Sequence, residues 1–201
     1  MHGAEGGAPF MSEKEKMLSQ ELYLPEEDRV LLSERNTCKD LCHDYNQLRP
    51  SDTSAQRELL DRLLGKLGAQ SLILPPFWCD YGYNIETGDE FFANHGLIIL
   101  DPGRVTFGNN VLIGPNCGFY TAGHPLDRTQ RHEGYEFARP ITVGDDVWFG
   151  GGVQVMPGVN VGNNVVIGSG SVVVKDIPSN VVAAGNPCRV LRPITDQDRM
   201  H

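Results

Sequence analysis

ITVGDDVWFGGGVQVMPGVNVGNNVVIGSGSVVVKD, residues 141–176, is six repeats of six residues laid end to end. Ile141, Val147, Val153, Val159 and Val165 open successive hexads, Ser171 breaks the series once, and Ile177 resumes it. A fixed short period is read before any helix or strand is assigned, because it sets the whole fold. Six residues match neither the 3.6-residue turn of a helix nor a hairpin meander. They suit a coiled ribbon of short strands joined by tight turns, with the repeated apolar residue facing inward. The Gly, Asn and Asp residues that close the hexads supply turn or left-handed backbone at little cost.

Traced backwards, the ladder runs through Cys117, Val111 and Val105, then Leu97, Phe91, Ile85, Cys79 and Ile73. It slips by two residues between Leu97 and Val105, where Pro102 and Gly103 sit, and lapses across TAGHPLDRTQRHEGYEFARP, residues 121–140. That segment is too polar and irregular for core and reads as a loop extruded from the stack. Hexads cannot bury an apolar face singly, so they need neighbours and end caps.

The front of the chain has a different period. TSAQ from Thr53 reads as a capping box, followed by Leu59, Leu60, Leu63, Leu64 and Leu67 at helical spacing. Leu31, Cys38, Leu41, Cys42 and Tyr45 mark an earlier amphipathic helix. The expected organisation is a frayed or added tail at 1–10, a helical module at 11–66 capping one end of the stack, a solenoid at 67–192, and a tail at 193–201. Met11 reads as a natural start.

A formal net charge of -9 argues against general nucleic-acid binding, which calls for a basic face. No apolar run approaches about 18 residues and no secretory leader is evident, so a cytoplasmic protein is expected. The five cysteines, Cys38, Cys42, Cys79, Cys117 and Cys188, contain no CxxC pair and are expected as reduced thiols. Cys38 and Cys42, at i and i+4 beside His43, have the spacing to begin a metal site. No second ligand pair accompanies them, so the reading leaves them as core.

The hexads resemble those of the hexapeptide-repeat acyltransferases. The helical module, through EKEKMLSQELY, LCHDYN and DYGYNI, resembles that of the maltose and galactoside O-acetyltransferases. FFAN at 91–94, TAGHP at 121–125, VWFGGG at 147–152, VVVKDIP at 172–178 and AAGNPCRV at 183–190 extend the likeness over nearly the whole chain from Met11. The resemblance implies a left-handed parallel β-helix of roughly five or six coils, an exception to the usual handedness of parallel crossovers. It implies acetyl transfer from acetyl-CoA to a sugar hydroxyl, without a metal. Flat solenoid faces leave apolar and backbone surface for cyclic association to cover, and the loop 121–140 is long enough to reach a neighbour, so a homotrimer with sites at subunit seams is expected.

A sugar hydroxyl is barely ionised at neutral pH, so its attack on a thioester needs a base. His124, braced by Pro125 at the root of the extruded loop, matches the family's base; direct attack then needs no acyl-enzyme. Asn94 matches the family's acceptor-contacting amide. Asp80 and Tyr83 are candidates to line the same pocket, and Asp101 either orients a catalytic group or is a solvent-facing turn carboxylate. For CoA, the glycines after Trp148 allow close approach of the thioester, and an N–H near Gly151 would meet the oxyanion. Ser169, Val174 and Lys175 match family positions along the pantetheine, and Lys175, Arg189 and Arg192 are candidates to meet phosphates. One departure bears on the acceptor: Pro25 stands where some relatives carry an acidic residue, leaving Glu26, Glu27 or Asp28 to compensate. His95 also departs from the aromatic residue of other relatives.

Three alternatives stay open at this stage: a transferase with an antibiotic or serine acceptor, a γ-class carbonic anhydrase using His95, His124 and His132 on zinc, and a noncatalytic hexad scaffold.

Overall fold

In the computed structural model, described over residues 11–200, the hexads form three sheets wrapped around one core. The expected tail at 1–10 lies outside the described residues. A five-stranded sheet holds Phe77–Cys79, Leu97–Leu100, Gly118–Tyr120, Gln154–Val155 and Val172–Val173. A four-stranded sheet holds Ile85–Thr87, Val105–Phe107, Ile141–Val143 and Asn160–Val161. A seven-stranded sheet holds Leu72–Ile73, Phe92–Ala93, Leu112–Ile113, Val147–Phe149, Val165–Ile167 and Val181–Ala184, and ends on Arg189–Pro193, which alone runs antiparallel. The chain visits the three in rotation, making a triangular solenoid of about 6 turns.

Each regular hexad buries its first and third residues, as Val147 with Phe149 and Val165 with Ile167 show. The apolar ladder of the sequence captures the first file. The third-position file adds Phe107, Phe119 and Phe149, whose rings stack edge to face at 5.0 and 5.2 Å between centroids. Ser171 is no defect: it is fully buried, donates to the Gly168 carbonyl at 2.5 Å and accepts from the Gly185 N–H at 3.0 Å.

Strand register corrects the front of the ladder. Phe77 lies opposite Leu97, and Ile73 opposite Ala93. Ile73 and Cys79 are therefore third residues of their hexads, and a second two-residue slip separates Cys79 from Ile85. At the other end, Ile177 bridges to Val161, a third-position residue, so the last coil is shortened. The two slips, at 80–84 and 101–104, and the excursion at 121–140 all fall on one edge, where the five-stranded sheet turns into the four-stranded one. Elsewhere Asn110 (φ 56), Asp146 (φ 58) and Asn164 (φ 51) close hexads in left-handed backbone, as their short polar side chains allow.

The helical module comprises α1 (Glu13–Leu18), α2 (Arg29–Gln47) and α3 (Thr53–Leu63). Helix α1 carries a capping box between Ser12 and Glu15 that the sequence reading passed over. The cap of α3 is Asp52, whose carboxylate accepts from the Ala55 N–H at 3.1 Å; Thr53 is already helical. A carboxylate one residue earlier supplies the acceptor that TSAQ was expected to provide. The buried face of α2, Leu31, Cys38, Cys42 and Tyr45, is the one its spacing predicts. Helix α2 packs on Phe77–Cys79, and Asn46 pairs with Phe77 in both directions, its side-chain amide donating at 3.0 Å and accepting at 2.8 Å. The open first coil is thus satisfied. A second small core, Met17, Tyr23, Leu31, Tyr81 and Ala138, joins the module to the foot of the extruded loop. No helix among the described residues is long and apolar enough to cross a membrane.

Candidate active site

The extruded loop is built, not loose. Its foot pairs Ala122–Gly123 antiparallel with Phe137–Ala138, and its tip carries α4 (Arg128–His132), capped by Asp127. His124 leaves the foot with Nδ1 3.2 Å from the Tyr135 carbonyl oxygen. A carbonyl only accepts, so this contact selects the tautomer with the proton on Nδ1 and leaves Nε2 as the basic nitrogen. Nε2 lies 4.0 Å from Glu136 Oε1, where a carboxylate meets the positive charge that develops as the imidazole takes a proton.

Glu136 is itself held from far away in sequence. Its Oε2 accepts from the Tyr23 hydroxyl at 2.8 Å, and the two backbones exchange hydrogen bonds of 3.0 and 2.9 Å. Tyr23 is fully buried; burial, then the Glu136 charge, push its hydroxyl far above the usual tyrosine range, so it remains a donor. His124, Glu136, Arg35, Asp80, Tyr81 and Leu100 line a cleft of about 240 Å³. Burial raises the Asp80 carboxyl, while Lys39 and Arg35 oppose the shift.

Asp101 is not a solvent-facing turn carboxylate: it is fully buried. It accepts the N–H groups of Asp80 and Tyr81 at 2.9 Å each and of Gly82 at 2.7 Å. Burial pushes its carboxyl up to about 7 against those three donors. Its place is beneath the turn that carries Asp80 into the cleft. Tyr83, by contrast, does not join His124. The slip at 80–84 turns it onto the helical module, where its hydroxyl donates to Glu34 at 2.8 Å and Lys14 Nζ lies 5.0 Å over its ring.

Asn94 lies at the other edge of the five-stranded sheet. Its N–H donates to Ile113, Gly114 to Phe149 and Gly150 to Ile167, at 2.9, 2.8 and 2.8 Å, so these residues form one file along the seven-to-five edge. Gly151 and Ser169 lie one residue further along the same edge, with Gly170 donating to the Gly151 carbonyl at 2.9 Å. Trp148 stands half-exposed on the neighbouring face. Val174 and Lys175 are exposed at the opposite edge, after Val172–Val173. Arg189 and Arg192 lie on the closing strand, Arg192 in a two-point pair with Asp198 at 2.8 and 2.7 Å. The chain by itself therefore brings His124 and Asp80 together but not Asn94.

Among the acidic residues near Pro25, Glu26 reaches the cleft indirectly by binding Arg35 at 2.5 Å, Asp28 caps α2, and Glu27 is exposed. His95, His124 and His132 do not converge within the chain, which leaves the zinc-enzyme reading without an intrachain ligand set. Glu136, Tyr23 and Arg35 escaped the sequence reading. No spacing links Tyr23 to Glu136; only the docking of the module onto the loop does.

The chain is thus a solenoid of hexads with a helical cap over its first coil and a histidine at the foot of one long loop. Comparison with known proteins gives the branch. A maltose acetyltransferase hexapeptide capping motif matches residues 16–68, and a bacterial transferase hexapeptide model of six repeats matches 140–175. The Saccharomyces cerevisiae protein YJL218W, provisionally named an acetyltransferase, is 52% identical over 184 residues, covering 92% of this chain and 94% of its own. The crystal structure of a maltose O-acetyltransferase from Clostridium difficile 630 superposes with a TM-score of 0.91 at 46% identity, over 92% of this chain and 99% of that one. A galactoside acetyltransferase in complex with coenzyme A superposes at 0.90 with 40% identity, over 94% of each chain. The chain belongs to the maltose and galactoside O-acetyltransferase family of hexapeptide-repeat acyltransferases, and its solenoid is the left-handed parallel β-helix of that class.

Proposed function

We propose that this protein transfers the acetyl group of acetyl-CoA to a hydroxyl of a small sugar, with His124 as general base. The observation that carries the reading is the His124 imidazole, fixed by the Tyr135 carbonyl as the Nδ1–H tautomer, with Nε2 beside Glu136 in a cleft that also holds Asp80. Family membership and the relative solved with coenzyme A support the donor.

In the step, Nε2 removes the acceptor hydroxyl proton as its oxygen bonds to the thioester carbonyl carbon. The carbonyl oxygen becomes an oxyanion, met by the Gly151 N–H, which has no acceptor among the described residues. Collapse breaks the carbon–sulfur bond, and the imidazolium returns its proton to the departing thiolate. Asp80 and Arg35, with Glu26 behind it, offer acceptors and donors for neighbouring sugar hydroxyls.

Two half-sites on opposite edges of one sheet favour a homotrimer. The outward residues of the four-stranded face are polar: Glu86, Thr106, Thr142 and Asn160. The other two faces expose Leu72, Leu112 and Trp148, and Trp78 and Ile98. Cyclic association would cover those two faces and set the His124 edge of one subunit against the Asn94, Gly151 and Ser169 edge of the next. Leu126, almost wholly exposed at the loop tip, would reach that neighbour.

The test is acetyl-CoA-dependent CoA release with maltose, glucose, a β-galactoside, serine and chloramphenicol as separate acceptors, with acetylated product identified by mass. Sugar-dependent release that drops by about 10² or more in His124→Ala supports the reading. Turnover on serine or chloramphenicol alone replaces the acceptor, and unchanged turnover in His124→Ala removes the base.

A further inference from the structure

Cys38 and Cys42 lie one turn apart on the buried face of α2, and Cys79 ends the first strand of the five-stranded sheet. The sequence offers only the first pair; the docking of α2 brings the third thiol. Cys79 Sγ is 3.5 Å from Cys38 Sγ and 3.7 Å from Cys42 Sγ, and all three sulfurs lie within 4.8 Å of one another. Among the described residues this is the single grouping of three ligand-type side chains at such range. All three residues are buried, none more than 3% exposed.

The donor set narrows the occupant. Three sulfurs placed about 2.3 Å from a central ion in one plane stand about 4 Å apart, so the two contacts of Cys79, at 3.5 and 3.7 Å, need to open by only a few tenths of an ångström, and the third pair lies within 4.8 Å. Thiolates select soft ions, Cu(I) and zinc foremost. Zinc asks for a fourth ligand. Asp101 is engaged by the backbone of residues 80–82, and His43 is on the exposed side of α2. Cu(I), a closed-shell ion stable with two or three ligands, needs nothing more.

A hollow of about 270 Å³ between α2 and the first coil, lined by Thr37, Leu41, Tyr81 and Tyr83, reaches Cys38 and provides an entry path.

We propose that Cys38, Cys42 and Cys79 form a Cu(I) site that pins α2 to the first coil. The sulfurs do not line the His124 cleft, so the site is separate from acetyl transfer. Binding moves no electron, and any thiol proton released goes to solvent.

The test titrates reduced, oxygen-free protein with Cu(I) bicinchoninate. The protein is expected to take about one Cu(I) per chain from the chelator, with a sulfur-to-copper absorption band in the ultraviolet. Cys42→Ser and Cys79→Ser are expected to lose that copper, and Cys117→Ala to keep it. A second measurement uses only wild type: bound Cu(I) is expected to protect Cys38, Cys42 and Cys79 from alkylation on partial unfolding, read by peptide mass, while Cys117 and Cys188 react. Copper left with the chelator, retention unchanged in Cys42→Ser, displacement of Cu(I) by equimolar Zn(II), or protection falling on Cys117 and Cys188 would each overturn the proposal.

Discussion

The two edges of the five-stranded sheet are built on opposite plans. Along the seven-to-five edge the hexads keep strict time, and Asn94, Gly114, Gly150 and Gly168 stack in one file through backbone hydrogen bonds. Along the five-to-four edge each of the first three coils departs from the period, at 80–84, 101–104 and 121–140. Those departures carry Asp80, Asp101 and His124. A regular edge offers close backbone approach and bare N–H groups, which suit an extended thioester. An irregular edge has room to aim titratable side chains, which suit proton transfer. The difference teaches that the repeat builds the scaffold while its interruptions place the titratable side chains proposed for the chemistry.

The sharpest way to break this contrast is to remove one function from each edge. His124→Ala is expected to lower kcat by about 10² or more. Asn94→Ala is expected to cost less, about tenfold to 10², because it positions rather than titrates. If one site draws on both edges across a seam, subunits of the two impaired variants, unfolded and reassembled together, regain wild-type turnover at roughly a quarter of their sites. Mixtures no more active than the average of their parents would confine each site to a single chain, and a monomeric mass by light scattering would do the same.

Asp101 tests whether the irregular edge is held by its buried carboxylate. Asp101→Asn turns an amide donor toward three N–H groups and is expected to cost about 1–3 kcal/mol of stability. Burial raises this carboxyl from 3.8 to about 7, so the folded protein keeps a proton that the unfolded chain has released over that interval. Stability from this group is therefore full below about pH 4 and declines as pH rises toward 7. Urea midpoints at pH 4.5 and 7.5 are expected to show that decline in wild type and a smaller one in the variant. Equal declines would mean that the three donors keep Asp101 ionised throughout.

The smallest expected effect lies at the far end of the stack. Arg192→Ala is expected to raise KM for acetyl-CoA only a few-fold with kcat unchanged, since this exposed cation is already shared with Asp198. A large fall in kcat instead would place Arg192 near the reacting atoms.

Much of the scaffold was legible because the hexad period is a local property. Val147, Val153 and Val165 had to be buried once their spacing was seen, and they are. The slip between Cys79 and Ile85 was not legible, because third-position residues are as apolar as first-position ones and the ladder steps from one file to the other without a visible break. His124 stood out through Gly-His-Pro and the loss of the ladder around it. Glu136 and Tyr23 did not, since a hydrogen bond across 113 positions leaves no trace in spacing. Tyr83 misled for the converse reason, sitting in the right stretch but turned to the wrong side.

The sequence alone determined the repeating strand-and-turn solenoid, the helical cap and the histidine at the root of the long loop. Each follows from short-range periodicity and turn chemistry, which act over six residues or fewer. Tertiary structure decided which edge each candidate residue occupies, that Asp101 is buried beneath Asp80, and that Cys79 meets Cys38 and Cys42. Those outcomes depend on strand register and on how α2 seats against the first coil, and both are settled by packing between segments far apart in the chain.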